Sequence, residues 1–575
     1  MKKRRPLFVA LSVPLLVTLI GVTAPSALAA PAATAEYTVL AADGVRVTDA
    51  EAEVRAAGGT VVARNDAVGL LSVTAPAGLE HRLAGSRAVT AAAPARPIGY
   101  APETGPGFDR DAVEKENRTA PRQVKPNAVH PTGPGAPAMD PLDDKLWGLK
   151  AVRSDLARGT QPGDRRVKVG VLDTGVDGSH PDIAPNFDRQ MSRNFTRDLP
   201  FDELGQEVDG PCEFRGCVDP ADHDDNGHGT HVAGTIAAAA DGFGISGVAP
   251  GVSIVNIRGG ADSGFFFLQP VVDAITYSGD AGLDVVNMSF FVDPWLYNCQ
   301  SNAADSPEQQ AQQKLVTRAV NRALAYAGRK GVTQVVSLGN QHTDLGAPQP
   351  DAGSPNFPAG TEHDRVIDNA DCLSLPIEGP NTVGVSALGP SQAKADYSNY
   401  GVEQISVSAP GGYFRDYFGT PWHRTNENLI LSALPRNVGQ AKKTIDADGN
   451  VTADGEAVGV QKACKSDGAC GYYQYLQGTS MASPHATGVA ALIVSQFGRY
   501  RGDQVTLEPA KVQRVLEGTA AKVPCPVPPT VDYIDEGRDD TFTATCTGDT
   551  QFNGFYGHGI VDAFSAVTRG RDFLR

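Results

Sequence analysis

The sequence lacks the patterns that mark several common protein classes. Among its 8 cysteines and 11 histidines there is no C-x-x-C pair and no H-E-x-x-H motif, which argues against a zinc cluster or a zinc peptidase. It has no internal repeats and no uninterrupted apolar run of about 20 residues, the length of a membrane span. Basic residues are not in excess: the net charge of −16 disfavours nucleic acid or an anionic membrane surface as the main partner.

The first residues predict an export signal. Four cations at positions 2–5 precede an apolar run, 8–22, that is too short for a membrane span and contains Pro14. A small-x-small cleavage site ends at Ala29, so we expect a signal peptide over 1–29 and a secreted, extracellular protein, with an uncleaved anchor as the alternative. The Arg4-Arg5 pair leaves the choice between general and twin-arginine export open.

All 8 cysteines follow that leader, which is typical of an exported chain with disulfides. Eight cysteines allow many pairings, so their spacing does not determine the connectivity. Pairing of sequence neighbours suggests Cys212–Cys217, Cys464–Cys470 and Cys525–Cys546. The two remaining cysteines would then form the distant pair Cys299–Cys372.

Three segments of different composition follow the leader. Residues 30–100 alternate strand-like and helix-like patterns and predict a small α+β unit. Residues 101–141 are rich in Pro and Gly, and they predict an exposed, easily cut linker. From 142 to 575, helical patterns alternate with Val- and Ile-dense strands, which predicts a parallel α/β sheet covered on both faces, with strands at 167–175, 252–259, 283–290 and 332–340.

Three motifs fall where such a sheet binds its ligands, at strand and helix ends. Asp173 ends a strand in "VLDTGVDGSHPD", and His228 and His231 begin a helix in "DDNGHGTHVAG". Ser480 begins an alanine-rich helix in "GTSMASPHATGVAAL". Turn caps and ordinary helix residues are the structural alternatives for each. A serine nucleophile needs a base, and helix N–H groups favour developing negative charge, so a reactive serine suits this position.

In the order Asp, His, Ser, the motifs resemble those of the subtilisin-like serine peptidases, the S8 family. The resemblance runs from about 142 to 566, includes "GVAPGV", "VVNMSF" and "GHGIVDA", and leaves insertions near 292–312 and 413–475. It implies a subtilisin-like three-layer α/β fold with a mostly parallel central sheet. It also implies a monomer that cleaves protein or peptide substrates without a catalytic cofactor.

The resemblance assigns roles to single residues. Ser480 matches the nucleophile, His228 the general base and Asp173 the acid that orients it. His231 matches a non-catalytic histidine, and Asn340 matches the amide that holds the tetrahedral oxyanion together with the Ser480 N–H. The matching substrate-binding residues are Ser289, Phe290, Phe291 and Gly339.

The pair Phe290-Phe291 departs from the family pattern, which usually has a glycine-rich edge after the "NMS" strand. If both rings face the cleft, they narrow the pocket. If the insertions displace the strand, the rings enter the core, as buried phenylalanines usually do. The sequence leaves both alternatives open.

The resemblance also implies structural calcium. Asp182 and Asp241 match positions that supply oxygen ligands, and the backbone carbonyls of Ala239, Phe243 and Ile245 would join them. Two ordinary loop aspartates are the alternative.

The unit over 30–100 resembles the family's propeptide, which acts as chaperone and inhibitor before it is cut off. We expect autocleavage within 101–142, a mature chain that starts near Asp140, and no membrane contact after processing; a permanent accessory domain is the alternative. The predicted function is a secreted endopeptidase made as an autoprocessed zymogen. The alternatives are a restricted processing protease and an inactive binding protein on the same fold.

Overall fold

The computed structural model describes residues 34–95, 113–116, 140–202, 205–502 and 504–575. The signal peptide predicted over 1–29 and most of the linker predicted over 101–141 lie outside these ranges. Within them, no helix has the length and apolar character that crossing a bilayer requires.

Residues 34–95 form a small unit with its own core. Its antiparallel sheet has the order β2-β3-β1-β4, and Val39 and Val73 of the sheet pack against Ala50 and Val54 of a helix. This arrangement agrees with the α+β pattern expected from the sequence. Its elements are β1 (Thr34–Ala41), α1 (Val47–Ala56), β2 (Thr60–Asn65), β3 (Leu70–Pro76), α2 (Leu79–Leu83) and β4 (Val89–Pro94).

The rest of the chain alternates helices and strands. The helices are α3 (Trp147–Ala151), α4 (Ser154–Ala157), α5 (His228–Ala237), α6 (Leu268–Asp280), α7 (Pro307–Lys330), α8 (Arg436–Ala441), α9 (Ala453–Ala457), α10 (Thr479–Phe497), α11 (Pro509–Thr519) and α12 (Ala563–Arg569). The strands are β5 (Lys168–Leu172), β6 (Arg193–Asn194), β7 (Ser253–Arg258), β8 (Val285–Met288), β9 (Asn298–Cys299), β10 (Thr333–Ser337), β11 (Cys372–Leu373), β12 (Thr382–Leu388), β13 (Ile405–Pro410), β14 (Ile430–Leu434), β15 (Gln461–Cys464), β16 (Cys470–Leu476), β17 (Arg499–Arg501), β18 (Gln504–Thr506), β19 (Thr530–Val531) and β20 (Ala544–Thr545).

Seven strands form one parallel sheet, in the order β13-β12-β10-β8-β5-β7-β6. Successive side chains alternate between its faces: Val285 packs in the core that includes α5 and α10, and Val286 packs in the core that includes α6 and α7. Burial on both faces explains why these strands are nearly continuous in valine and isoleucine. The three-layer prediction is confirmed.

The small unit over 34–95 packs on α6 and α7. Asn65 Nδ2 donates to Thr276 Oγ1 at 2.7 Å, and Arg322 Nη1 donates at 2.9 Å to the carbonyls of Ala41 and Val68. The unit therefore lies on the sheet's α6–α7 side, opposite α5 and α10.

Disulfides link the loops and insertions. The pairing expected from sequence proximity is confirmed for Cys212–Cys217, Cys299–Cys372, Cys464–Cys470 and Cys525–Cys546.

Candidate active site

One edge of the parallel sheet carries the predicted site. The residues that follow β5, β8 and β10 meet the first turns of α5 and α10 there, as expected for the carboxyl ends of parallel strands. They border a cleft of about 440 Å³. The predicted residues that line this cleft are His228, Ser289, Phe290, Phe291, Gly339, Asn340 and Ser480.

The Asp173 carboxylate is fully buried behind His228. Its Oδ1 lies 2.6 Å from His228 Nδ1 and accepts the Thr174 N–H at 2.8 Å. The close approach depends on Gly229, since a β-carbon there would lie 2.1 Å from the Gly175 carbonyl oxygen. The imidazole therefore has Nδ1 toward the carboxylate and Nε2 toward the cleft.

Asp224 fixes the start of α5. Its Oδ1 accepts the N–H groups of Asn226 at 3.1 Å and Gly227 at 2.9 Å, and its Oδ2 accepts the Thr230 N–H at 3.1 Å. Asn226 Oδ1 in turn accepts the His228 N–H at 3.2 Å. The polar residues of "DDNGHGT" thus satisfy N–H groups that a helix start leaves without partners, and they hold His228 in place.

Ser480 lies in the first turn of α10, next to the end of β8. Pro484 lacks the N–H that would donate the helical hydrogen bond to the Ser480 carbonyl. Ser289 Oγ donates to that carbonyl instead, at 3.4 Å. Asn287 Nδ2 donates to Ser289 Oγ at 2.9 Å. The Ser480 side chain is nearly buried, and its hydroxyl donates to the Ser289 carbonyl at 3.5 Å. The hydroxyl is therefore held by β8 and α10 together.

Asn340 is oriented by the residue that precedes the predicted nucleophile. Its Oδ1 accepts both the N–H and the hydroxyl of Thr479 at 2.9 Å, which leaves Nδ2 for the cleft. Gly339 has φ +104°, and a β-carbon there would lie 2.4 Å from Asn399 Nδ2. The "GN" pair at 339–340 therefore needs its glycine for the amide to reach the cleft.

A carboxylate from the predicted linker lies in the same cleft. Glu114 is only 7% exposed, its Oε1 is 3.4 Å from His228 Nε2, and it also hydrogen-bonds Ser480. A β-carbon on Gly478 would lie 3.3 Å from Glu114 Oε1 and 3.4 Å from Asn340 Nδ2, so this carboxylate also borders the predicted oxyanion amide. The expectation of an exposed linker is wrong at Glu114, because pairing with His228 compensates the burial of its charge.

The three charged groups shift one another. Burial alone would lower the pKa of His228, but the Asp173 and Glu114 carboxylates outweigh it and raise that pKa well above its ordinary value. Burial would raise the pKa of Glu114, but pairing with His228 outweighs this and lowers it. Burial raises the pKa of Asp173 although the bond to His228 opposes it. His228 is thus held as an imidazolium between two carboxyl groups.

The two other histidines near these motifs are structural. Burial lowers the pKa of His231 to about 3, and its Nε2 donates to the Ile430 carbonyl at 3.1 Å. Burial lowers the pKa of His485 to about 4, and its Nδ1 donates to the Met481 carbonyl at 2.8 Å. Both stay neutral at ordinary pH.

Both phenylalanines that depart from the family pattern line the cleft. Phe290 also stacks on Phe266, with ring centroids 4.1 Å apart, and packs against the core that includes α6 and α7. Phe291 extends from the cleft to the neighbouring cavity beside His342. The Phe290 ring therefore lies partly in the core and partly in the cleft, so each of the two alternatives left open by the sequence describes one part of its environment.

Asp182, predicted to hold calcium, is fully buried. Its Oδ2 accepts the Ile245 N–H at 3.0 Å and the Tyr473 hydroxyl at 2.8 Å, while its Oδ1 has no hydrogen-bond partner among the described residues. Burial raises its pKa to about 7, and Asp241 adds to the rise. Asp241 itself is exposed and lies 3.5 Å from Lys465 Nζ.

Asp140 lies beside the same loop and was not identified from the sequence, because it was assigned to the linker. Its Oδ1 accepts the Gly242 N–H at 2.6 Å, and its buried Oδ2 has no hydrogen-bond partner in the described ranges. Burial raises its pKa to about 6. The unpartnered oxygens of Asp140 and Asp182 fit a hard divalent cation such as calcium.

Comparisons with known proteins identify the family of the chain. Residues 164–559 match the profile of Peptidase_S8, the subtilase family. Fervidolysin of Fervidobacterium pennivorans is 28% identical over 436 residues, which cover 72% of this chain and 46% of fervidolysin, so the chain spans about half the length of that relative. Subtilisin DY of Bacillus licheniformis is 26% identical over 377 residues, which cover 66% of this chain and 92% of that protein.

A solved structure agrees in fold along nearly the whole chain. The epidermin leader peptide processing serine protease (EpiP) of Staphylococcus aureus superposes with a TM-score of 0.59 at 19% identity, covering 93% of this chain and 98% of EpiP. The family match covers well over half of the chain, and the sheet topology agrees with it. The chain therefore belongs to the subtilase family of serine proteases.

Proposed function

We propose that the chain is a secreted serine endopeptidase that works as a monomer through Asp173, His228 and Ser480. The supporting observation is the 2.6 Å contact between Asp173 and His228 in a cleft that also holds Ser480 and Asn340. An orienting acid, a base and a hydroxyl at a helix start are the parts that nucleophilic acyl transfer requires.

In the first half of the reaction, Ser480 Oγ attacks the carbonyl carbon of the scissile bond while His228 Nε2 takes the hydroxyl proton. Asp173 accepts the Nδ1–H and stabilises the imidazolium. The Asn340 amide and the Ser480 N–H stabilise the oxyanion, and losing one such donor costs about 3–4 kcal/mol, a value that comes from a member of this family. His228 then passes its proton to the leaving amine, and an acyl-enzyme ester remains.

In the second half, water attacks the ester carbonyl while His228 takes one of its protons. The tetrahedral intermediate collapses, the carboxylic acid product leaves, and His228 returns the proton to Ser480 Oγ. The protein groups in the cleft supply every proton transfer, so the mechanism uses no cofactor.

The nucleophile is tested with Ser480→Ala. We expect this variant to lose peptide hydrolysis and labelling by a serine-directed phosphonate, because it lacks the hydroxyl that the proposed mechanism uses as nucleophile. Thr487→Ser, on a later turn of α10, serves as the matched control and should keep both. Undiminished phosphonate labelling of Ser480→Ala would overturn the assignment.

We also propose that the chain is made as a zymogen and cuts itself within 101–142. The separate core of 34–95 and the position of Glu114 beside His228 support a covalently attached inhibitory segment. N-terminal sequencing of the secreted product should give a start near Asp140, and Ser480→Ala should remain uncut. A wild-type product that starts at Ala30 would contradict this proposal.

A restricted processing protease is the second candidate. Phe290 and Phe291 line the cleft and reduce the room for a substrate side chain, which favours a narrow choice of peptides. Clearing of casein would favour a general endopeptidase, whereas cleavage of few sites in a denatured proteome would favour the restricted one.

For a structural cation, we propose calcium at the loop 239–245, held by Asp182 and Asp140 with the carbonyls of Ala239, Phe243 and Ile245. The two buried, unpartnered carboxylate oxygens support it. Calcium would neutralise these acids and tie the loop to the start of the catalytic domain.

A further inference from the structure

A second carboxylate of the linker segment, Glu116, lies between two arginines beside the cleft. Its Oε1 is 2.6 Å from Arg415 Nη2, and its Oε2 is 2.8 Å from Arg538 Nη2. Gln477 Nε2 donates to Oε2 at 2.9 Å. The side chains of Glu116, Arg415 and Arg538 are only 10%, 13% and 17% exposed, so the carboxylate is enclosed.

Both guanidinium groups are held by the protein around them. Arg415 Nη1 donates to the Glu536 carbonyl, and Arg538 Nε donates to the buried Asp396. The Arg538 guanidinium also lies over the Phe542 ring, 4.6 Å from its centroid. The arginine forks are therefore positioned before any ligand arrives, which lowers the entropy cost of binding a carboxylate.

The balance of charge favours an anion at this position. With Glu116 removed, the direct carboxylate partner of both guanidinium groups in the described part of the chain would be Asp396, at 3.8 Å from Arg415 Nε and in hydrogen-bond contact with Arg538. The carboxyl group of Glu536 contacts the Tyr413 hydroxyl and interacts with Arg415 electrostatically at longer range. An enclosed pair of cationic planar donors binds a carboxylate through charge-assisted, two-pronged hydrogen bonds.

The arginine pair is continuous with the predicted catalytic centre. Arg538 lines the same cleft as Ser480. Glu114, two residues before Glu116, reaches His228, and its carbonyl accepts the Gln477 N–H at 3.3 Å. A bound chain that places one residue at the catalytic centre can therefore place a nearby side chain at the arginines.

The linker segment occupies this path without resembling an extended substrate. Residues 113–116 form a turn in which the Glu116 N–H donates to the Val113 carbonyl at 3.4 Å. The contact with Arg415 and Arg538 is thus made by the carboxylate and does not depend on strand pairing.

We propose that Arg415 and Arg538 form a subsite for an acidic side chain of the peptide substrate, and that Glu116 occupies this subsite in the unprocessed chain. The inference rests on the proposed peptidase function and specifies its substrate class: peptides that carry Glu or Asp within a few residues of the cleaved bond.

The test is a peptide-bond cleavage assay with matched substrates. Sites cut in a peptide library are identified by mass spectrometry, and one cut sequence is resynthesised with Glu or Gln at each position on either side of the bond. At one position, we expect kcat/KM for the Glu peptide to exceed that for the Gln peptide by about 10-fold. A hydrogen bond to a charged group contributes a free energy that corresponds to about a tenfold change in binding or more. Equal values at every position in an active enzyme would overturn the subsite.

Variants connect the preference to the two arginines. Arg538→Gln and Arg415→Gln should each bring the Glu-to-Gln ratio close to one, and Arg538→Lys should give an intermediate ratio because it keeps the charge and loses the fork. Arg499→Gln, exposed and outside the cleft, is the control and should keep the wild-type ratio. Circular dichroism identifies any variant that fails to fold, and an unchanged ratio in folded Arg538→Gln and Arg415→Gln would refute the proposal.

A binding measurement separates this proposal from the proposed function. Full-length Ser480→Ala,Glu116→Gln protein replaces the competing carboxylate with a neutral amide and needs no catalysis. Titration calorimetry should show the Glu peptide binding about 10-fold more tightly than the Gln peptide, and Arg538→Gln should remove that difference. If the wild-type protein cleaves no peptide but the binding preference is retained, the proposed peptidase function alone is refuted. If both peptides bind equally, the proposed subsite is refuted.

Discussion

At the scale of single residues, Glu114 adds a second carboxylate beside His228 that the motifs did not predict, after Asp173. Its Oε1 lies 3.4 Å from His228 Nε2, the nitrogen that takes the Ser480 proton in the proposed mechanism. A base that is already an imidazolium cannot take a proton, so the proposed zymogen should have low activity while this carboxylate is in place. Nothing in its neighbours, "DAVEKEN", predicts this position, because the contact depends on where the linker runs.

The Glu114→Gln substitution should shift the pH dependence of self-cleavage. The pKa of His228 is raised by Asp173 and Glu114, so the neutral base is lost as pH falls through that raised value. Removing one carboxylate lowers the pKa of His228, and we expect the acid limb of the autocleavage rate to move to lower pH. The rate is followed on gels from refolded full-length chain.

Glu53→Gln, on an exposed turn of α1, is the matched control and should leave that acid limb in place. Superimposable pH profiles for Glu114→Gln and the wild type would show that Glu114 does not hold the proton on His228.

At the scale of elements, the loop 239–245 follows α5 and contacts the segment that begins at Asp140, whose carboxylate accepts the Gly242 N–H. Burial raises the pKa of Asp182 to about 7 and that of Asp140 to about 6. Without a cation, these carboxyl groups ionise at lower pH in the unfolded chain than in the folded chain. Stability should therefore fall as pH rises from about 4 to about 7 in chelator-treated protein.

Calcium should reverse this loss, because it binds only the ionised carboxylates. We expect added calcium to raise the Tm of Ser480→Ala protein by several degrees at about pH 8 and little at about pH 5. Asp182→Asn should abolish the calcium response, and the exposed Asp535→Asn should retain it. A Tm unaffected by calcium and chelator at about pH 8 would exclude the site.

The elements also show where sequence patterns are sufficient. The strands β5, β7, β8 and β10 were located from their valine and isoleucine content, because burial on both faces demands it. The two-residue strands β9 and β11 carry no such pattern. They form because the loops around Cys299 and Cys372 come together in the folded chain.

At the scale of the whole molecule, the unit over 34–95 is attached in two ways: it packs on α6 and α7, and its linker places Glu114 in the cleft on the carboxyl edge of the sheet and Glu116 beside it. Arg322 is central to the packing, since its guanidinium donates to two backbone carbonyls and pairs with Asp43. The chain is thus held by protein contacts at the unit over 34–95 and again at residues 113–116.

Arg322→Ala in a Ser480→Ala background should loosen this unit. Losing hydrogen bonds from a charged donor should raise the cutting rate of the linker by an added metalloprotease about 10-fold. Arg318→Ala, on an exposed position of the same helix, should leave the rate unchanged. Equal rates for both variants would show that the Arg322 contacts do not hold the unit in place.

The sequence by itself determined the fold class and located the motif residues Asp173, His228 and Ser480, and it suggested three cysteine pairs between sequence neighbours. Each depends on short-range patterns: buried strands need apolar runs, helix starts need caps, and neighbouring cysteines can meet. Tertiary structure alone decided that Glu114 meets His228, that Arg415 and Arg538 enclose Glu116, and that Asp140 lies near enough to Asp182 to act on its pKa. These pairs are more than 40 positions apart in sequence, and in the first two cases about 100 or more. Their energies come from burying charges together, which no local pattern records.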